Sequence, residues 1–308
     1  MRGFDGVTLV PLGGRGPEDV LVDGQGRVYA GLDDGRIVRV AGAGAPVETV
    51  AQVPGRPLGL EFLGDDELLV CASQAGLLAV SLATQHVRIL TDEVDGRSLR
   101  AVNNAAVAGD GSIFFTDSSQ RYPIPRWRAD IVQRTRSGRL FRRAPDGAVT
   151  ELLGGLEFAN GVALARDESF VAVAETGACR LHRVWLRGER AGSAEVFVDP
   201  LTGYPDNISL GSDGLIWVAV VSPKTAQLAK VQALPGPVRT LATKVPPRLQ
   251  PKVDRTVSVV AVDDDGQVVH EFCGEIDGFW FLTGVRERDG HLWLGSLEGS
   301  SLATVAAG

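Results

Sequence analysis

The stretch DNISLGSDGLIWVAVV, residues 206–221, has the form of a β-hairpin: an apolar run, a Ser-Asp-Gly turn, and a longer run of β-branched and aromatic residues. Its first two residues fit poorly with that form. Asp206 and Asn207 are weak strand formers and costly to bury without partners. Either a turn ends there by chance, or the two side chains face something that needs oxygen.

Five other segments share the layout, namely EDVLVDGQGRVYAGL (18–32), LGLEFLGDDELLVCAS (58–73), NNAAVAGDGSIFFTDS (103–118), ANGVALARDESFVAVAE (159–175) and TGVRERDGHLWLGSL (283–297). Most are followed by a further strand-like piece, such as GRIVRVAG, GLLAVSL, GRLFRRA or CRLHRVWL. The period is about 40 to 50 residues with two longer gaps, the length of a four-stranded antiparallel unit. Six such units predict an all-β chain forming one six-bladed β-propeller over residues 1–308. The hairpin at 256–272, in the long last gap, is expected to complete the outer part of a blade. VTLVPL (7–12) is expected to add an outer strand to the last blade and close the ring. No helical stretch is convincing, and under about 10% helix is expected. Residues 119–137, rich in Arg and Pro, break the pattern and are read as a surface excursion from the third blade that could cap the channel.

The leading residues of each inner strand face the channel axis. They are Glu18-Asp19, Leu58-Gly59, Asn103-Asn104, Asn160-Gly161, Asp206-Asn207 and Thr283-Gly284. Four of the six places hold acids or amides. Carboxylate and amide oxygens without His or thiolate describe a site for a hard cation, calcium before magnesium or manganese.

Composition narrows the function classes. A net charge of -7 with no clustered basic face argues against a nucleic-acid partner. Cys71, Cys179 and Cys273 lie far apart without metal spacing, so buried thiols in a reducing cytoplasm are expected. MRGFDGVTL lacks a signal-peptide core, and the most apolar run (68–83) is too short and too polar to span a membrane. Neither GxSxG nor a phosphate-binding glycine loop is present. His86, His182, His270 and His291 fall in outer strands or turns by repeat phase.

The motifs RPLGLEF, VNNAAV, IFFTDSS, LEFANGVALARDESFVAVAET, GYPDNIS and DGHLWLGSL resemble the strictosidine synthase-like proteins over nearly the whole chain. Within that family the chain resembles the branch that includes the adipocyte plasma membrane-associated protein, and no counterpart of that protein's membrane anchor is expected. More distantly, the chain is similar to the gluconolactonase/regucalcin and paraoxonase groups, six-bladed propellers with an axial calcium. The resemblance implies calcium ligands at Glu18, Asn103, Asn160 and Asp206, with Asn207 adjacent. Paraoxonases hold a second, structural calcium through the neighbouring residues, here Asp19 and Asn104. An amide at Asn104, where an acid is usual, argues against that ion. The Glu that condensing relatives use falls at Thr283, and the paraoxonase His falls at Leu58, so neither chemistry is implied. Glu287, four residues beyond Thr283, is expected to be solvated.

What these features support is hydrolysis of small lactones or activated esters, the cation polarising the carbonyl and Asp206 and Asn103 lining the reacting centre. Arg121, Tyr122, Trp127 and Arg128 on the excursion, with Asn207 and Thr283 in the channel, are the candidate substrate contacts. A binding propeller with a structural calcium, or a condensing relative, is the alternative. No nucleic acid or membrane is expected as a partner.

Overall fold

The computed structural model describes residues 2–245 and 254–308. Six four-stranded antiparallel sheets form a six-bladed β-propeller. The inner strands are Leu21–Val22, Pro57–Phe62, Val102–Val107, Ala159–Leu164, Gly203–Leu210 and Leu282–Arg288. Strand order within blades one to five follows the chain from channel to rim. In the sixth, Thr8–Pro11 pairs with Ser301–Ala306 as the outermost strand, with Thr8 opposite Thr304, so both ends of the chain share one sheet. The hairpin Val257–Val262 and Val268–Gly274 completes blade five, as its sequence implies.

The second strands read as continuous apolar runs because each blade is covered on both faces by its neighbours. Ile113–Asp117 and Phe170–Glu175 are buried throughout. The core is accordingly six inter-blade layers rather than one centre. Phe170, Leu181, Ile216 and Val260 fill the space between blades four and five. Trp217, Val259, Leu292 and Leu294 fill the next, and Val10, Val38 and Leu302 close the ring between blades six and one.

Three short helices, none of them located by the sequence, accompany the strands: α1, Trp127–Gln133; α2, Ala226–Gln232; and α3, Gly236–Ala242. The first lies inside the 119–137 excursion, after a 3-10 turn at Ile124–Arg126, so the excursion is ordered. The other two interrupt blade five between its second and third strands. Among the described residues no helix is long and apolar enough to cross a membrane. The three cysteines are free.

Candidate functional site

The polar dipeptides that disturb the strand pattern coincide with a recurring irregularity. In blades two to six the pairing of inner and second strands shifts register between Pro57 and Leu60, Val102 and Ala105, Ala159 and Val162, Pro205 and Ile208, and Leu282 and Gly284. In blades two to five the shift brackets the leading dipeptide, and in blade six it brackets Thr283 alone, with Gly284 paired to Gly295. A bulge releases two residues from the ladder and re-aims their side chains, which is how Asp206 and Asn207 enter a strand without disrupting it. In blade one Glu18 and Asp19 precede the paired residues altogether.

The second residue of each dipeptide alternates around the ring: Asp19, Asn104 and Asn207 in odd blades, Gly59, Gly161 and Gly284 in even ones. A Cβ on Gly161 would lie 2.2 Å from the Ile208 nitrogen and 2.6 Å from the Asn207 backbone. On Gly59 it would lie 2.7 Å from the Asn104 Cα, and on Gly284 2.7 Å from the Glu18 carbonyl. Glycine is therefore required where an even blade meets the polar residue of the next. Hydroxyls join neighbouring blades as well. Thr116 Oγ1 donates to the Asn160 carbonyl (2.7 Å), Thr176 Oγ1 to Pro205 (2.7 Å), Ser209 Oγ to Val285 (2.6 Å) and Thr283 Oγ1 to Glu18 (2.8 Å). Thr283, expected to touch substrate, is thus buried and spent joining blade six to blade one.

The first residues of the dipeptides present oxygen to the channel. Asn103 Nδ2 donates to Ser118 Oγ (3.0 Å) and Asn160 Nδ2 to Thr176 Oγ1 (3.2 Å). With their nitrogens tied back, Asn103 Oδ1 and Asn160 Oδ1 are buried without any hydrogen-bond partner, and so is Glu18 Oε2. Both amide atoms of Asn207 share this condition. Asn207 is 1% exposed, so it sits with the axial set rather than on a surface open to substrate. Asp206 is partly exposed. Buried polar atoms normally have partners, and several unpaired oxygens in one channel fit a cation of oxygen ligands. Among the described residues no three His, Cys, Asp or Glu side chains form a metal cluster; the axial set has only two carboxylates, and amides supply the rest.

Burial, then Asp206 and Asp19, push the Glu18 carboxyl well above its ordinary range, opposed by the Arg56 guanidinium. Burial also raises Asp206, with Asp19 adding to it and the Asn160 amide opposing. Two carboxyls raised by burial and by neighbouring carboxylates are poised to exchange protons for a cation. By contrast, Glu175 is buried too, but hydrogen bonds from His182, the Glu157 N–H and Arg180 outweigh burial and hold it at about 2. His182 lies on a third strand with its Nε2 2.8 Å from Glu175 Oε2, away from the dipeptides.

Helix α1 covers the end of the ring where the inner strands begin. Its Ile131, with Ile124, packs against Leu58, Ala101 and Phe158, joined by Trp127 and Leu228. Trp127 also meets Phe281 at 6.1 Å between ring centroids. Leu58, Phe158 and Phe281 lie at or just before the starts of the inner strands, so the wall above the axial oxygens is apolar. The helix is clamped by charge. Asp130 accepts from Ser119 Oγ and from Thr135 Oγ1 (2.6 Å), while Arg134 and Arg136 grip Glu157 at 2.8 and 2.9 Å. Of the four candidate contacts here, Trp127 faces the mouth. Tyr122 is buried beneath the Arg126 guanidinium, Arg121 is exposed, and Arg128 stacks on Trp127. Glu287, expected in solvent, is 3% exposed and accepts from Ser212 Oγ (2.9 Å) and the Gly290 N–H (2.8 Å). Its donors come partly from blade five, which local sequence does not reveal.

Residues 32–234 match the SMP-30/gluconolactonase/LRE-like region, and residues 3–40 match the N-terminal region of strictosidine synthase-like proteins. The chain is 34% identical to protein strictosidine synthase-like 10 of Arabidopsis thaliana, over 96% of this chain and 86% of that one. It is 32% identical to the adipocyte plasma membrane-associated protein of Salmo salar, over 94% and 75%. Among solved structures, a gluconolactonase from Xanthomonas campestris superposes with a TM-score of 0.70 at 16% identity, over 97% of this chain and 89% of the other. A calcium-binding regucalcin from Agrobacterium tumefaciens superposes with a TM-score of 0.63, also at 16% identity, over 96% and 94%. At that identity the structures speak for the fold alone. The sequence matches go further: this chain belongs to the strictosidine synthase-like family, within the SMP-30/gluconolactonase/LRE-like group of propellers.

Proposed function

We propose that the chain is a calcium-dependent hydrolase of lactones or activated esters. One observation carries this reading: among the described residues Glu18 Oε2, Asn103 Oδ1, Asn160 Oδ1 and Asn207 Oδ1 are buried beside Asp206 without a hydrogen-bond donor in good geometry. Regucalcin, a neighbour in fold, is a calcium-binding protein, which supports the choice of ion. These residues would hold calcium, which when bound supplies a Lewis acid for the substrate carbonyl and for the oxyanion that follows.

The protein's own groups do the rest. Asp206 is the one carboxylate of the set with access to the channel, so it takes the proton of the attacking water. The Asn103 amide, fixed by Ser118, keeps its oxygen toward the reacting centre and cannot rotate its nitrogen there. The apolar wall of Leu58, Phe158, Phe281 and Trp127 excludes water and favours aryl or alkyl groups over a polyol. Substrate would then have to displace or slip beneath α1. The unpaired thiols fit a reducing compartment such as the cytoplasm.

The test is a panel of phenyl acetate, an alkyl lactone and gluconolactone, assayed in chelator and in calcium while the fold is followed by circular dichroism. Hydrolysis of the first two should vanish in chelator and return with calcium, and gluconolactone should be the poorest substrate. The closed mouth favours a second reading, a propeller that binds without catalysis and keeps calcium for structure. That reading wins if no ester is hydrolysed and chelator unfolds the protein.

A pH prediction follows from the raised carboxyls. Protons bind Glu18 and Asp206 more tightly in the cation-free fold than in the unfolded chain. Their contribution to cation-free stability is therefore full below the ordinary carboxylate range, about pH 4, and is lost as pH climbs through the raised values. Calcium holds the ionised forms and removes that loss. The gap between melting temperatures with and without calcium should widen from acid to mildly alkaline pH, and calcium binding at neutral pH should release protons to the buffer. A gap independent of pH would remove Glu18 and Asp206 from the site.

A further inference from the structure

One segment of blade five has a composition unlike the rest of the chain. All four lysines, Lys224, Lys230, Lys244 and Lys252, fall within it, and every basic side chain elsewhere is an arginine or a histidine. No Asp or Glu occurs between Asp213 and Asp254, while Arg239 and Arg248 bring the Lys and Arg residues there to six. The net charge of -7 averages over this stretch and conceals it. Ion pairs among the described residues all use Arg or His, which leaves Lys224, Lys230 and Lys244 without a carboxylate partner there.

Helices α2 and α3 lie within this segment, and neither has a buried residue. Leu234, Val238 and Leu241 are 42%, 45% and 66% exposed, and Val245 is 39% exposed. Intervals of four, three and four residues set them along one face of α3 and its flanks. The helices are held to the ring on another side. Gln232 Nε2 donates to the Ile131 carbonyl of α1 (2.9 Å), Leu228 joins the apolar cluster above the axial oxygens, and α3 also lies against α1. The apolar stripe therefore borders the mouth of the channel.

A stripe of exposed Leu and Val beside unpaired lysines marks an interaction surface, and the charge selects its partner. A second copy docked by this face would set lysines against lysines. A nucleic acid would take the charge but leave Val238 and Leu241 in water. An anionic bilayer satisfies both, with apolar side chains in the acyl boundary and lysine stems reaching back to the headgroups. We propose that α2 and α3 form a docking surface for anionic lipid, which holds the mouth of the channel toward a membrane. The contact is peripheral, because helices of seven residues can lie on a bilayer but not cross it. It is independent of whether the channel catalyses a reaction.

Co-sedimentation of the full chain with vesicles decides it, using phosphatidylcholine alone or mixed with phosphatidylglycerol. The native protein should pellet with the mixed vesicles only, and added salt should release it. Lys230→Gln with Lys244→Gln should weaken binding by about 30-fold, roughly five-fold for each charge removed at such a surface. Val238→Ser with Leu241→Ser should weaken it by at least about ten-fold. Val268→Ser with Val269→Ser is the control. These valines are as exposed, at 55% and 47%, but lie near Asp263, Asp264, Asp265 and Glu271, and the variant should bind like the native protein. Circular dichroism should show every variant folded, since all the replaced side chains are on the surface. Equal binding to both vesicles, or binding to neither, overturns the proposal, as does native affinity in either helix variant. Affinity for duplex DNA that only the lysine variant loses would reassign the surface to a nucleic acid. A native dimer that Val238→Ser with Leu241→Ser dissociates would reassign it to a second copy.

Discussion

Asp206→Ala is expected to lower calcium affinity by more than about 100-fold and to bring ester hydrolysis to background. Losing a group that merely supports a metal ligand costs roughly 10–100-fold, and Asp206 is one of only two carboxylates in the axial set. The variant should also relieve Glu18, whose carboxyl Asp206 helps to raise. In chelator it should therefore be as stable as the native protein or slightly more so. Loss of metal affinity with unchanged or improved cation-free stability separates a ligand from a structural carboxylate, which would weaken both. Asp206→Asn, keeping an oxygen but losing the proton acceptor, should retain more calcium binding than activity. Titration calorimetry and an aryl-ester assay on the same preparations measure the two. Native calcium affinity in Asp206→Ala would end the assignment.

Gly161→Ala should be the most damaging conservative substitution in the channel. A single methyl there meets the Ile208 nitrogen at 2.2 Å and the Asn207 backbone at 2.6 Å, so no rotamer can relieve the clash. Overpacking against rigid surroundings costs about 1–3 kcal/mol, occasionally more, and contact with two backbone segments places this case at the upper end. For a chain of this size, a loss of about 3 kcal/mol lowers the melting temperature by roughly 5 °C. Asn160 and Asn207 flank the contact, so calcium affinity should fall with stability. Gly24→Ala is the control: nothing lies within 4 Å of an added Cβ there, and its effect should stay within about 0.5 kcal/mol. Equal melting temperatures for the two variants would show that blades four and five can separate freely.

The blades were legible because turn chemistry is local. Asp-Gly and related pairs punctuate apolar runs at a regular interval, and even the strand at 8–11 could be assigned to the last sheet. The helices were not, because seven residues hold barely two turns and show no periodicity. Signals did exist at their starts: Thr225 caps α2 through its hydroxyl, and Pro237 sits in the first turn of α3. For the site, repeat phase selected Glu18, Asn103, Asn160 and Asp206, and the structure shows which of their oxygens lack partners. The bulges that aim them stayed hidden, since one extra residue in a strand changes no composition. Thr283 and Glu287 were misread for one reason. Their partners, at Glu18 and Ser212, lie in other blades, and no pattern within a blade announces them.

The sheet shared by Thr8–Pro11 and Ser301–Ala306 has a consequence for how the protein is made. Thr8 cannot find its partner until Thr304 has left the ribosome, so the earliest strand waits through nearly the whole of synthesis with an open edge. Contacts this remote in sequence make closure slow. An unpaired edge on a nascent chain also invites pairing with another copy. Charge beside that strand, at Arg2 and Asp5, and the proline that ends it at position 11 discourage such pairing while the chain waits.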